Sequence, residues 1–422
     1  MPPRDSAWAV FRVFWRLGLT SFGGPVAHLG FFRAEFVARR RWLTEQAYAD
    51  LVALCQFLPG PASSQVGMAL GLLRAGYPGA LAAWLGFTLP SALLLAALGA
   101  GLTGGDLSHP ATQGALHGLK VAAVAVVAHA VWGMARSLCP GAVHRALMGL
   151  AATLALWQPS AWVPVGLVVL GACAGVAWLQ PHDRTPAHRA LAEPLSRHAP
   201  SARMGLVWLL LFAAGLVGLP WVAQQAFAPG GQALWLVLDA FYRTGALVFG
   251  GGHVVLPLLQ AEVVAPGWVD SDTFLTGYAA AQAVPGPLFT LAAFLGAAMP
   301  GVLPAGVGAV AAVVGVFAPS FLLVAGALPF WADLRQRPLA QAALGGANAV
   351  VVGLLLAALV HPVATSALWP LAGTGVLANL PWWAMAAMAA LATTALLRGQ
   401  LPAWGLVAVC AGVGALLGSG QA

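Results

Sequence analysis

The 422-residue sequence predicts an all-α polytopic membrane protein made of two inverted-topology homologous repeats with broken or re-entrant helices. Three observations predict it. First, 60% of the residues are hydrophobic, 7% are charged and the mean hydropathy is +0.85, whereas a soluble domain carries about 25% charged residues. Apolar runs of spanning length recur, and they are apolar on every face, unlike the alternating strands of a membrane barrel. Second, QFLPGP (Gln56–Pro61) and QAVPGP (Gln282–Pro287) interrupt such runs twice with nearly the same letters. Third, basic residues gather in alternate loops, and in a membrane chain such loops mark the cytoplasmic side.

In chain order, the start (MPPRDSAWAVFRVFWRLG) interleaves arginine with aromatics and reads as amphipathic, not as a cleavable signal. Segment 7–31 is broken at Ser21–Pro25, and segment 47–73 is broken at Pro59–Pro61. Proline stops a helix and glycine weakens one. Spans follow at about 78–102, 113–136, 143–157, 161–180 and 204–222. Segments 233–259 and 274–299 are broken again, at Phe249–Gly252 and Pro285–Pro287. The last spans are about 303–331, 341–361, 382–397 and 401–418. The polar stretch Gln180–Arg203, rich in Pro, Arg and His, is a linker.

The second half repeats the first. At an offset of 226, Gln56, Pro59, Gly60, Pro61 and Trp42 fall on Gln282, Pro285, Gly286, Pro287 and Trp268. SFGGP (Ser21–Pro25) matches VFGGG (Val248–Gly252), and at that shift Glu35 falls on Glu262. LPS (Leu89–Ser91) matches APS (Ala318–Ser320), and His117–Val127 resembles Gly345–Leu355. Repetition of the whole order indicates duplication. The expected division is a first repeat at 1–180, a cytoplasmic linker at 181–203, a repeat-inverting span region at 204–232 and a second repeat at 233–422.

The charges give the orientation. Arg33, Arg39, Arg40, Arg41 and Arg74 place the loops of the first two broken segments inside. The matching loop of the second half holds Glu262, Asp270 and Asp272 and reads as outside. Span 204–222 has no partner in the first half and supplies the inversion. Four arginines in one loop favour re-entry for the first pair of segments. The sum is nine full spans and four broken segments. Inverted repeats with broken helices are the architecture of many secondary transporters.

Backbone interrupted at membrane depth must be buried in protein or line a wet cavity. A new helix N-terminus there exposes free N–H groups and the positive end of the macrodipole, which suits an anion. Pro61 fits the first helical position. The expected substrate-binding residues are therefore Gly23, Gly24, Gln56, Gly60, Ser63 and Ser64 in the first half, and Gly250, Gly251, His253, Gln282, Gly286 and Thr290 in the second. Leu288 and Phe289 would add backbone donors. Lys120, the one lysine, stands inside an apolar run, where it either faces the protein interior or snorkels to the outer surface. Its repeat counterpart Asn348 is polar but neutral. His28 and His253 are candidate proton relays, each weighed against an ordinary buried histidine. Glu35 and Glu262 are candidate gates or proton carriers, weighed against loop ion pairs.

Cys55, Cys139, Cys173 and Cys410 form no CxxC and read as small buried residues. No metal or cofactor is expected. The excess of 19 Lys plus Arg over 12 Asp plus Glu reports topology, and no zinc spacing or basic–aromatic array suggests nucleic acid. GxSxG, HExxH and the nucleotide-binding GxxxxGK[ST] loop are all absent from the sequence, so neither an enzyme nor an ATP-driven pump is expected.

FGGPVAHL (Phe22–Leu29), QFLPGP, FGGGHVVLPLLQ (Phe249–Gln260), QAVPGP and the two PS runs together resemble the chromate transporter family in its long two-domain form. The matching positions are Phe22, Gly23, Gly24, Pro25, Gln56, Pro59, Gly60, Pro61, Phe249, Gly250, Gly251, Gln282, Pro285, Gly286 and Pro287. The resemblance implies a multi-pass carrier of the bacterial inner membrane that exports chromate and gives chromate resistance, with sulfate as the close isostere. It leaves another oxyanion open as the substrate. The oligomeric state is open too, a homodimer included.

Overall fold

A computed structural model describes residues 6–22, 24–104, 110–158, 162–179, 200–225, 229–248, 255–299, 301–331, 337–364, 382–399 and 401–419. Among them the regular elements are all helical. They are α1 (Ala7–Thr20), α2 (Gly24–Phe32, continued by a π-helical turn Arg33–Arg39), α3 (Glu45–Phe57), α4 (Ala62–Gly104), α5 (Pro110–Leu138), α6 (Ala142–Trp157), α7 (Trp162–Trp178) and α8 (Ala202–Gln225). The second half holds α9 (Pro229–Leu247), α10 (Val255–Val263), α11 (Ser271–Ala283), α12 (Leu291–Ala297, preceded by a 3-10 turn Leu288–Thr290), α13 (Ala305–Ala327), α14 (Pro338–Ala358), α15 (Trp382–Leu397) and α16 (Ala403–Ser419). Five helices are long and apolar enough to cross a bilayer, and shorter apolar helices accompany them. The chain is thus an all-α multi-pass membrane protein. The expected spans agree with these helices to within a few residues.

Segment α4 is not one rod. Ala75 and Gly76 leave helical geometry, and Gly76 has φ +66°. A Cβ on Gly71 would strike the carbonyl of Gly79, eight residues on. In a straight helix those positions lie about 12 Å apart, so the chain folds back here. The first arm ends near Arg74, the second is the span expected at 78–102. In the second half the same turn is open, between α12 and α13. There Gly296 and Gly308 meet as Gly71 and Gly79 do.

The broken segments are hairpins. Phe14 on α1 lies 5.1 Å from Phe36, past the break on the far side of α2. A continuous helix would separate them by about 33 Å. Trp42, three residues before α3, has the guanidinium of Arg40 at 5.8 Å and that of Arg74 at 5.0 Å. The unit α3–Pro59-Gly60-Pro61–first arm of α4 therefore starts and ends at one surface, with its tip remote from it. In the second half Arg243 of α9 bonds Glu262 of α10, and Gly277 of α11 packs on the ring of Phe294 in α12, so both of those segments also fold back.

At the arginine-rich surface Glu35 is held by Arg40 (2.6 Å) and Arg39 (2.9 Å). Burial works to raise its carboxyl, but hydrogen bonds from Arg40 and Arg39 outweigh burial and hold it below the usual glutamate value. Arg41 turns the chain with φ +53°.

The repeats are interlocked. In apolar surroundings helix association relies on close packing at small residues, and the contacts come in matched pairs. In the first half α1 crosses the second arm of α4 at Gly18 and Gly86; in the second half α9 crosses α13 at Gly245 and Gly315. The terminal helices are exchanged. First-half α5 packs on second-half α16 through Gly118 and Gly414, while second-half α14 packs on first-half α7 through Gly346 and Gly175. Relations in which i meets j and j meets i are those of a two-fold axis. Three cysteines are buried as expected, whereas Cys173 is exposed on α7.

Candidate functional site

The tips of the hairpins meet across the repeats. Gly60 N–H donates to the Val248 carbonyl at 2.6 Å, and Gly286 N–H donates to the Ser21 carbonyl at 3.0 Å. Gly60 matches Gly286 in the repeat, and Ser21 matches Val248, so these are one bond made twice. Each tip glycine has positive φ, +123° for Gly60 and +104° for Gly286. A Cβ on Gly60 would collide with Ser320 Oγ and Gln65 Nε2; a Cβ on Gly286 would collide with Ser91 Oγ. The two PS runs therefore supply the serines that lie against the opposite tips. This close approach, together with the backbone angle, is why glycine stands between the prolines.

The first tip opens directly into α4. Gln65 N–H bonds the Pro61 carbonyl at 2.9 Å, so the N–H groups of Ala62, Ser63 and Ser64 make up the first helical turn, which has no intrahelical acceptor. The Gln65 side chain bonds the Pro59 carbonyl at 2.6 Å and braces the tip. His28 of α2 reaches Ser63 Oγ at 3.4 Å through Nδ1 and meets the ring of Phe87 edge-on. Ser21, His28, Ser63, Ser64, Gln65, Thr88, Ser91 and Ser320 are all buried. Within that group Ser21 Oγ, His28 Nε2, Ser64 Oγ, Gln65 Oε1, Thr88 Oγ1 and Ser320 Oγ make no hydrogen bond within the protein. Buried polar atoms are ordinarily paired. Unpaired polar atoms around two crossed tips form a set that can grip a polar ligand, with hydroxyls and a helix N-terminus as donors and the His28 imidazole beside them.

The second tip differs. It opens into a 3-10 turn, and Thr290 turns both its N–H (3.0 Å) and its hydroxyl (2.7 Å) back onto the Pro287 carbonyl. The repeat counterparts of His28, Ser63, Gln65 and Thr88 are Val255, Phe289, Leu291 and Phe317. Phe289 and Phe317 pack ring to ring at 6.0 Å. The first repeat thus offers hydroxyls, an amide and an imidazole to the site, where the second offers Ser320 and a pair of aromatic rings.

Several expected residues are placed elsewhere. Gly60, Ser63, Ser64, Gly286 and Thr290 lie at the tips. Gly24, with φ +77°, follows the first break. Gln282 is buried and hydrogen-bonded to Tyr278, whereas its counterpart Gln56 is exposed. Lys120 bonds Asp272 at 2.7 Å. Asp272 is at the start of α11, about 18 Å along that helix from the second tip. Asn348 lies on α14 with a buried, unpaired amide oxygen. Gly23, Gly250, Gly251 and His253 lie outside the described residues. The expectation did not include Thr88, Ser91 or Ser320 as site residues; the repeated PS in LPS and APS was the signal available for two of them.

Because Asp272 is exposed, the Lys120–Asp272 pair is worth at most about 1 kcal/mol. Lys120→Met and Asp272→Asn are expected to change transport rate equally, by up to about fivefold, with the double variant no worse than either. Uptake kinetics of the three variants check this; a larger loss in Lys120→Met alone would mean that the ammonium acts on the substrate.

Duplicated halves, broken helices and a buried polar centre between them define a multi-pass membrane protein of two interlocked repeats. The family model for the chromate transporter matches this chain twice, at residues 8–176 and 235–415, and the chain belongs to that family. It is 30% identical to the chromate transport protein of Pseudomonas aeruginosa over 84% of this chain and 80% of that protein. It is 26% identical to a probable chromate transport protein of Synechococcus elongatus, over 85% of each. Identity to the chromate transport protein of Cupriavidus metallidurans is 27%, over 82% of this chain and 80% of that one. No solved structure matches.

Proposed function

We propose that the protein is a non-enzymatic carrier that exports chromate from the cytoplasm across the bacterial inner membrane and so gives chromate resistance. Family membership and the names of its relatives support chromate as cargo. The observation that carries the mechanism is the group of buried, unpaired hydroxyls at Ser21, Ser64, Thr88 and Ser320, with His28 beside them, at the N-terminus of α4. A tetrahedral dianion accepts hydrogen bonds in every direction, and neutral donors plus a helix end can hold it without a fixed cation that would trap it.

In this reading the two repeats are inverted, with residues 1–180 and 233–422 as the repeats, 181–203 as a cytoplasmic linker and 204–232 as the inverting segment. The matched two-fold contacts support a pseudo-symmetry axis. The arginines around Trp42 and the acidic loop after α10 support its lying in the membrane plane. Inverted repeats can exchange conformations, which opens the central site to each side in turn.

The driving force is the membrane potential, assisted by the proton gradient. Each charge moved through 100 mV is worth about 2.3 kcal/mol, so export of a dianion gains about 4.6 kcal/mol per 100 mV with the interior negative. Purified protein in chromate-loaded liposomes is expected to release chromate when the inside is made negative. No release of chromate or sulfate under that potential would end the reading. Sulfate is the second reading, because the donor set recognises shape and charge that both ions share; competition in the same liposomes ranks the two.

A further inference from the structure

Apart from the central site, the protein buries three charges together. Arg243 of α9 makes three hydrogen bonds to Asp239, from Nε to each carboxylate oxygen at 3.1 Å and from Nη2 to Oδ2 at 2.8 Å. The same Nη2 reaches Glu262 Oε2 of α10 at 3.0 Å. The side chains of Asp239, Arg243 and Glu262 are 7%, 15% and 11% exposed. Two carboxylates thus share one nitrogen of one guanidinium, out of water. With both ionised the cluster carries a net negative charge in a medium that penalises it, and a single proton removes that charge.

Among the described residues, the elements packed against the cluster supply no second cation. On α9 and α10 the other titratable group is Tyr242, whose hydroxyl donates to the Phe212 carbonyl at 2.9 Å. Neither α13 nor α14 contains a charged residue, and α8 has only Arg203, exposed at its start. On α11, Asp272 is paired with Lys120 and Tyr278 is buried. Asp270, in the loop after α10, caps α11.

Comparison of the repeats sharpens this. Asp239, Arg243 and Glu262 match Arg12, Arg16 and Glu35. In the first repeat both arginines are exposed and Glu35 has Arg39 and Arg40 to itself. Among the described residues, the second repeat is the one whose cluster is short of positive charge, and it buries the deficit. The cluster also adjoins the centre. Arg243 stands five residues before Val248, the residue that accepts the bond from Gly60, or about 7.5 Å along the chain if helical. Uptake of a proton that loosens the Glu262–Arg243 bond would therefore be felt at the α9 end on which the first tip rests.

We propose that Asp239, Arg243 and Glu262 form a proton-binding site, and that one proton held between the two carboxylates is exchanged for each substrate anion moved. This rests on the transport reading above and names where its proton would sit. The cluster lies on the hairpin whose acidic loop reads as outside, so a proton entering there moves opposite to an exported anion.

The test is a steady-state distribution, which is independent of rate. Protein in liposomes is given chromate on both sides and a pH difference of one unit, with both sides alkaline enough to keep chromate a dianion. One coupled proton shifts the final chromate ratio about tenfold, equivalent to 1.36 kcal/mol. Wild type and Glu35→Gln are expected to show the shift, and Glu262→Gln to lose it; Asp239→Asn serves if Glu262→Gln does not fold. A shift kept in both carboxylate variants, or lost in Glu35→Gln as well, overturns the proposal. So does a wild type that moves chromate with no shift, which leaves the transport reading standing. If wild type moves no chromate, the transport reading fails, and infrared titration decides the proton site by itself. It expects a neutral-carboxyl carbonyl band in wild type that Glu262→Gln lacks, and an unchanged band overturns the site.

Discussion

Gly60→Ala is expected to cut chromate transport by about 10- to 100-fold while leaving the protein inserted. The added methyl meets two costs. Gly60 has φ +123°, a conformation that costs a residue with a Cβ about 1–3 kcal/mol. The methyl would also run into Ser320 Oγ and Gln65 Nε2. Moving either neighbour disturbs the central site, because Gln65 braces Pro59 and Ser320 is one of the unpaired donors. Relief by shifting the tip instead breaks the 2.6 Å bond from Gly60 to Val248. At about 1.4 kcal/mol per decade, these costs give the stated range if they fall on the transporting conformations. Gly286→Ala is expected to act similarly, against Ser91. Gly30→Ala and Gly133→Ala are matched controls, since a methyl at either meets open space. Ser320→Ala added to Gly60→Ala is expected to bring no recovery, because it relieves only one of the two collisions and removes a donor of the site. Vesicle uptake with protein quantified in the membrane measures all of these. Wild-type rates in Gly60→Ala would mean that the tips are mere packing.

Much of this organisation could be read from the sequence. Proline and glycine at matched positions gave the four interruptions, and arginine placement gave a turn at Arg74 where a purely helical reading would run straight through. The loop of four arginines favoured re-entry, and Trp42 now holds the two ends of that hairpin together. What could not be read was partnership. The spans are apolar on every face, so periodicity does not say that α5 packs on α16 while α14 packs on α7. Lys120 stood out as a lone charge, but its partner Asp272 is 152 residues away and in the other repeat. Thr88 and Ser320 are single hydroxyls in long apolar runs, where a hydroxyl often just bonds the carbonyl one turn back, as Thr244 and Ser91 do. Only the crossing of the tips separates the two cases.

Arg243→Leu is expected to destabilise the protein by about 3–5 kcal/mol, because it leaves Asp239 and Glu262 buried with no guanidinium between them. The loss is expected to appear as a lower unfolding temperature in detergent and a smaller monodisperse fraction by size exclusion. It should be eased by acid, since protonation of the two carboxylates removes the charge that the arginine no longer balances. Arg243→Lys is expected to fall between, as an ammonium cannot present Nε and Nη2 in the fixed fork that spans both Asp239 oxygens. The informative variant is the neutral triple, Asp239→Asn, Arg243→Gln and Glu262→Gln. Removing a buried ion cluster as a whole is far less costly than breaking it. The triple is therefore expected to regain most of the stability that Arg243→Leu loses and to lack the rescue by acid that Arg243→Leu shows. If it unfolds as readily as Arg243→Leu, the guanidinium matters for packing and not for charge. If it is stable, the protein keeps three ionisable groups in its interior that its fold does not require, and the reason for keeping them lies in what these groups do during transport.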